Sequence, residues 1–406
     1  MITKILTLAW KNVWRNPTRS GVVVIAVVLG TWAGTFISGF FNGMIQDYLD
    51  NQLELSVGHV QITHPRFVDL YDPKYQVEQA EAVVDTLQRD SSIRDLRVMS
   101  LASGLAQSAV SSYGVTIHGI DTAQAENYAI KQYLTEGTLL KGITRNPVVV
   151  GQKLADRLNL ELRSKMVLSF QDINGEITAG AFRVAGIYDS FDDRHDQSTV
   201  YVDKSDLNGL LGQPDLVHNI TFFLDDFTAA SSVAYRLGGQ FPDLLVRSWY
   251  EISPALSYVF DTTDISLYVV MVIIIIALVF SIINTMLMAI LERTKEIGML
   301  MAVGMNSRRI FSMILSETFF LTMAGMPAGM LLSWFTITYF GRAGINLTAF
   351  AEGLSAYGMS TVIYPELSAV YYFNITLMIG GMAILSALYP AWKTLQLEPV
   401  EALRKI

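Results

Sequence analysis

The stretch ISLYVVMVIIIIALVFSIINTMLMAIL (Ile265–Leu291), followed at once by ERTKEIGMLMAVG (292–304), decides the fold. Its 27 uncharged residues exceed the roughly 20 needed to cross a bilayer as a helix. The insert that follows carries too many charges to stay in lipid, and a second long apolar run opens near Ile310. The insert therefore sits at a membrane face between two spans, where a partner can push on the protein.

Three further runs are long enough to span: Ser20–Gln46, Ile310–Gly341, interrupted only by Glu317, and Leu367–Trp392. The first far exceeds the roughly 7 to 15 apolar residues of a secretory signal, and no small-residue cleavage site follows, so it reads as an uncleaved anchor. Lys and Arg set the orientation. Lys4, Lys11, Arg15, Arg19, Arg293, Lys295, Arg308, Arg309, Lys393, Arg404 and Lys405 flank one side, and Arg342 stands alone in the short loop on the other. Both termini and the insert are expected in the cytoplasm.

The reading divides the chain into an amphipathic interfacial helix (1–19), spans at 20–46, 265–291, 310–341 and 367–392, an exterior domain (47–264), a cytoplasmic coupling segment (292–309), an exterior loop (342–366) and a cytoplasmic tail (393–406). The expected fold class is an α-helical membrane protein of four transmembrane helices, with a large mixed α/β extracytoplasmic domain inserted between helices 1 and 2. That domain holds 17 Lys and Arg against 30 Asp and Glu, a net of −13, which leaves +5 for the rest of a chain of net charge −8. The cationic remainder suits a face touching anionic lipid, and the acidic exterior argues against nucleic acid as a partner. Without cysteine there is no disulfide, thiolate metal site or thiol catalysis.

Local patterns fill in the domain. Ile2, Ile5, Leu6, Ala9, Trp10, Val13 and Trp14 recur at helical spacing opposite Lys4, Lys11 and Asn12, with Asn16-Pro17 closing the helix, which either anchors in the interface or packs on a span. Gly30/Gly34 and Gly39/Gly43 permit close helix approach, within the chain or between two chains. Strand patterns occupy 57–63, 114–120, 147–150, 166–170, 182–187, 199–202 and 220–224, and helical ones 77–88, 152–160, 204–211 and 228–237. Asp172–Glu176, with its Asn-Gly pair, predicts a hairpin turn.

Catalytic chemistry is sparse. No Gly-x-x-x-x-Gly-Lys-Ser/Thr loop is present, so any ATP driving the protein, with its Mg, belongs on another chain. His59, His64, His118, His195 and His218 lack metal-ligand spacing and read as surface histidines, solvated or hydrogen-bonded. The acidic run 189–196 lacks the glycine and terminal glutamate of a calcium loop and reads as solvated. Asn219-Ile220-Thr221 matches a glycosylation sequon. Glu317 is the one ionisable residue inside a span and reads as a helix-helix or snorkelling group, while Asn284 and Pro327 fit packing.

The order of parts then becomes specific. One span, a large exterior domain and three spans with Glu292-Arg293-x-Lys295-Glu296-Ile297-Gly298-x-x-x-Ala302-x-Gly304 after the second resemble the FtsX/MacB/LolC-type ABC transporter permeases. Leu8–Asn16 is similar to the signature that precedes that family's first span, Tyr389–Trp392 through Leu397–Arg404 to its closing motif, and Val148–Gly151 with Leu154, Ala155 and Leu158 to its exterior domain. The resemblance implies that Glu292, Arg293, Lys295, Glu296, Ile297, Gly298 and Gly304 dock on a separate ABC ATPase present in two copies. It also implies pairing with a second permease copy or a paralogue in a bacterial inner membrane. Force then passes to the exterior domain by mechanotransmission. Gly58–Pro65 resembles the lipoprotein-releasing permeases, although Phe170–Phe182 is shorter than the hooked hairpin with which some recruit a carrier. Extraction of a lipoprotein or lipid, handed to an extracytoplasmic carrier or adaptor, leads over MacB-like expulsion of peptides or drugs and FtsX-like control of a cell-wall hydrolase. A receptor or scaffold without a motor is the reading from another class. Phe40, Phe41, Met44, Tyr258, Val259 and Phe260 are the residues expected to meet cargo and membrane lipid, with dimer packing as the alternative.

Overall fold

The computed structural model describes residues 2–15, 17–141, 145–303 and 305–395, which form two compact units. One comprises 1–45, 262–346 and 362–406, and the other 46–261 with 347–361. Gly304, Asn16 and the closing motif 397–404 lie outside the described residues.

The membrane unit is built on helices Pro17–Gln52, Pro254–Glu292, Ser307–Ala343 and Ala369–Leu395, each long and apolar enough to cross a membrane. They outlast the uncharged runs because helix propensity does not end where the apolar sequence does; the ends come from local caps. Asn306 accepts a hydrogen bond from the Arg308 amide to start the third helix, and Gly344, at φ 72°, ends it. Val23, Val27, Ile275, Ile282, Met286, Leu321 and Ile379 are buried among the helices. Small residues set how closely the backbones pack. A Cβ at Gly329 would lie 2.7 Å from the Val28 carbonyl oxygen, and one at Gly43 2.1 Å from that of Tyr364. Gly30, Gly34 and Gly39 likewise face side chains of this same chain, which settles their packing as internal. Asn284 is exposed on the second long helix of this chain.

The amphipathic helix Ile2–Arg15 buries Ala9 and Val13 and sets Trp10 edge-on to Phe320 at 5.4 Å, so it packs on the third span. Trp10 and Trp14 remain half exposed, as interfacial rings do.

The second unit carries strands β1 (Val60–Thr63), β2 (Ile93–Gln107), β3 (Ser112–Ile120), β4 (Leu134–Gly137), β5 (Pro147–Gly151), β6 (Lys165–Gln171), β7 (Ile177–Tyr188), β8 (Thr199–Asp203), β9 (Asn219–Leu224) and β10 (Leu245–Ser248). All seven expected strands are present; β2, β4 and β10 are additions. The pairing closes: β2 to β3, β8, β5, β7, β6 and back to β2, a six-stranded barrel without free edges. Alternation fills it. In β6, Met166, Leu168 and Phe170 point inward beside Ala102, Ile117, Val150 and Val184. β2 is long enough to serve twice, its first half pairing with β9 in a smaller antiparallel sheet, β10-β1-β9-β2. The β6–β7 turn falls at 172–176 as predicted, with Gly175 at φ 85°. Residues 347–361, read as part of a plain loop, join this unit: Gly358, at φ 72°, lies over the Gln52–Asp192 hydrogen bond, where a Cβ would come within 2.5 Å of Gln52.

Candidate functional site: the coupling segment

The second long helix stops at Glu292, Arg293 leaves the helical path at φ −103°, ψ 15°, and a separate helix runs Thr294–Ala302. This short helix has two faces. Thr294, Ile297 and Gly298 are buried, while Lys295 and Met299 are exposed, with exposed Glu292 and Val303 flanking the two ends of the helix. Arg293 and Glu296 turn inward instead, into a chain of ion pairs. Arg293 Nε donates to Glu296 Oε2 at 3.1 Å, its Nη1 lies 3.5 Å from Glu317 Oε1, Asn12 Nδ2 donates to the same Glu317 oxygen at 2.7 Å, and Arg15 pairs with Glu296.

Four elements meet there: the amphipathic helix, the end of the second long helix, the coupling helix and the third span. They border a cleft of about 410 Å³ lined by Leu8, Asn12, Met286, Arg293, Glu317 and their neighbours. Burial alone would raise the Glu296 pKa, but hydrogen bonds from Arg293 and Arg15 bring it below the ordinary carboxylate value. Glu317 is buried, so its partnership with Arg293 governs the energetics. Stripping one partner from such a pair costs about 3–5 kcal/mol, whereas the exposed Arg15–Glu296 pair contributes about 0–1 kcal/mol. The helix-helix role expected of Glu317 is what the geometry displays. Its cation partner was missed: Arg293 lies 24 positions earlier and Asn12 305 earlier, and no local spacing signals either.

The residues expected to meet cargo separate. Phe40, Phe41 and Met44 lie in the membrane unit, Phe40 edge-on to Phe41 at 6.0 Å. Tyr258, Val259 and Phe260 belong to the second unit, where Phe260 is packed against Phe227, Trp249 and Tyr250. Trp249 is fully buried and donates from Nε1 to the Phe227 carbonyl at 3.0 Å.

Two readings of the exterior domain are corrected. His59, His195 and His218 are buried rather than on the surface, because backbone and hydroxyl groups satisfy them: His59 Nδ1 accepts from the Leu224 amide at 2.9 Å, His218 Nδ1 from that of Leu101 at 3.0 Å, and His195 Nε2 meets the Tyr201 hydroxyl at 2.9 Å. Burial lowers His59 and His195 to about 4. Nor is 189–196 a solvated loop. Asp196 is fully buried and takes the Ser190 amide at 2.7 Å and hydroxyl at 2.6 Å, while Asp192 caps the helix Asp193–Ser198. Burial pushes Asp196 up to about 7. The sequon is also buried, Thr221 bonding Asn219 within β9.

Residues 20–238 match the MacB-like periplasmic core domain and 268–399 the FtsX-like permease C-terminal region. The chain belongs to the FtsX/MacB/LolC-type ABC transporter permease family. Similar proteins include the macrolide export ATP-binding/permease protein MacB of Chlorobium luteolum, 32% identical over 30% of this chain and 16% of that protein. The ABC transporter permease YtrF of Bacillus subtilis is 28% identical over 30% of this chain and 28% of its own length. The lipoprotein-releasing system transmembrane protein LolC of Xylella fastidiosa is 23% identical over 55% of both. The matched stretches thus span from about a sixth to about half of these relatives. Among solved structures, the periplasmic region of MacB from Actinobacillus actinomycetemcomitans aligns over 52% of this chain and 97% of its own, with 18% identity and a TM-score of 0.35.

Proposed function

We propose that this chain is the membrane-embedded subunit of an ABC transporter that works by mechanotransmission: a separate ATPase, carrying the ATP and Mg, docks on the coupling helix, and its movement is converted into work on the outer side. The observation that carries this reading is the coupling segment itself, with Glu292, Lys295, Met299 and Val303 exposed and the Arg293–Glu317 pair tying it to the third span. A contact surface tied to a membrane helix through a buried ion pair is suited to pass force.

Lipoprotein or lipid extraction is the favoured work, supported by the LolC similarity, which extends over more of this chain than those to MacB or YtrF. Two ATPase copies and a second permease, identical or paralogous, complete the assembly, in a bacterial inner membrane with both termini in the cytoplasm. The similarity to MacB supports expulsion of a small molecule or peptide as the second reading.

The test is binding and hydrolysis. Purified chain is expected to lack ATPase activity and to stimulate a separate ATPase added to it. Saturable ATP hydrolysis by the chain alone overturns the reading. Single cysteines introduced into this cysteine-free chain check orientation: one at Ser307 is expected to resist an impermeant reagent in intact cells, and labelling there reverses the assigned topology.

A further inference from the structure

The third and fourth long helices meet in a groove that the coupling mechanism does not use. Its volume is about 440 Å³, within the roughly 300–1,000 Å³ of small-ligand sites. The last turn of the third helix contributes Arg342, the approach to the fourth contributes Glu366, and Trp334, Tyr364 and Tyr372 line the walls. Arg342 and the Glu366 carboxylate make no ion pair or hydrogen bond with any other described side chain, although both line one groove.

The backbone along one edge of the groove is tied to the first long helix. The Glu366 amide donates to the Gly39 carbonyl at 3.1 Å, Asn42 Nδ2 donates to the Glu366 carbonyl at 3.0 Å, and a Cβ at Gly341 would lie 2.8 Å from the Pro365 carbonyl oxygen. Its depth is marked by the chain's aromatic residues. Exposed Trp334, Tyr339 and Tyr364 gather at this end of the spans, and Trp10, Trp14, Tyr389 and Trp392 at the other, the two interfacial belts of a membrane protein.

An exposed cation and an exposed anion lining one groove with aromatic walls at headgroup depth select for a ligand with both charges. A guanidinium matches a phosphate by paired hydrogen bonds, and a carboxylate beside aromatic faces suits an ammonium group. We infer that the groove between the third and fourth helices binds the headgroup of a zwitterionic phospholipid of the phosphoethanolamine type, with the phosphate on Arg342 and the ammonium on Glu366 under Trp334 and Tyr364. This goes beyond the transport reading and stands whether or not the cargo is a lipoprotein. Its requirement is that the helices cross a bilayer.

The experiment uses the full chain in detergent micelles, supplied with phosphatidylethanolamine or phosphatidylglycerol of the same acyl chains and scored by native mass spectrometry for retained lipid. Wild type is expected to retain the ethanolamine lipid about tenfold over the glycerol lipid, the scale of one charge-assisted contact. Glu366→Gln is expected to abolish that preference by weakening ethanolamine-lipid retention alone, and Arg342→Gln to reduce retention of both. Arg308→Gln, an exposed cation away from the groove, is expected to change neither. Equal retention of the two lipids by wild type overturns the inference, as does a preference that survives Glu366→Gln; the latter variant suffices if Arg342→Gln fails to fold. Displacement of the lipid by an equal concentration of soluble phosphoethanolamine overturns the assignment to a membrane lipid. A chain that stays soluble without detergent contradicts the membrane reading itself, so the two failures are distinguishable.

Discussion

The buried histidines and Asp196 of the barrel unit and Glu317 of the membrane unit are satisfied in opposite ways. In the barrel unit, His59, His195 and His218 are held by backbone and hydroxyl partners and Asp196 by Ser190, and burial drives the histidines and Asp196 toward their neutral forms. In the membrane unit, Glu317 faces a cation, Arg293, and an amide from Asn12. Under the proposed mechanism, neutral satisfaction suits a body that stays folded while it is pushed, because nothing is gained by moving the group. A charge pair joining a span to the coupling helix is strong while closed and costly when parted, which suits a junction through which movement passes.

The largest effect is expected from breaking that junction. Arg293→Ala removes the Arg293 cation that faces Glu317 and is expected to lower stability in detergent by about 3–5 kcal/mol, while Glu317→Gln in the same background restores much of it. Thermal unfolding checks both. Identical melting of the single and double variants would remove the pair from the account.

On the other side of the comparison, acid is expected to weaken the barrel unit. His59 and His195 sit at about 4 in the fold against 6.5 when unfolded, so the unfolded chain takes up protons first. Stability therefore falls as pH drops from 6.5 to 4, by about 1–3 kcal/mol per histidine at most. Asp196, raised from 3.8 to about 7, acts in the opposite sense: its contribution grows as pH falls from 7 and is complete below 3.8. His195→Gln is thus expected to flatten the acid loss and Asp196→Asn to steepen it. Hydrogen exchange of the β5 and β8 amides as a function of pH reads both, and parallel pH curves for the two variants would contradict the assignment.

A steric change probes the barrel without charge. A Cβ at Gly104 would lie 2.2 Å from the Ser169 carbonyl oxygen, where β2 meets β6. Gly104→Val is expected to cost about 1–3 kcal/mol and to open the β6–β7 hairpin to proteolysis. Undiminished protease resistance there would argue against closure.

The smallest effect on stability, and the sharpest on function, is expected on the exposed face of the coupling helix. Reversing the charge with Lys295→Glu should shift stability by no more than about 0.5 kcal/mol while weakening stimulation of the ATPase. Normal stimulation would mean that this is only a solvated face.

Much of this architecture can be read from the chain. Uncharged length determines the four membrane helices, and short runs rich in Val, Ile, Phe and Thr, several of them bounded by Gly, Asn or Asp, determine seven strands, because both are properties of neighbouring residues meeting lipid or a core. β2 escaped because its second half, Leu101–Gln107, is rich in Ala, Ser and Gly, residues without a strand signature of their own. Those small side chains are what let β3 and β6 close on it, as Gly104 shows. The coupling segment was legible as a charged insert between spans, but not its division into exposed residues and an inward clamp.

What the sequence determined by itself, then, is composition over short distances: which runs enter the membrane, which segment remains at its face, and which family the order of motifs belongs to. Tertiary structure decided the rest. Arg293 meets Glu317 and Asn12, the histidines lose their solvent, residues 347–361 join the barrel unit, and Arg342 shares a groove with Glu366. Each of these joins residues distant in the chain or depends on what covers them. Burial and pairing set their charge states, and a linear pattern carries information only about the neighbours a residue has along the backbone.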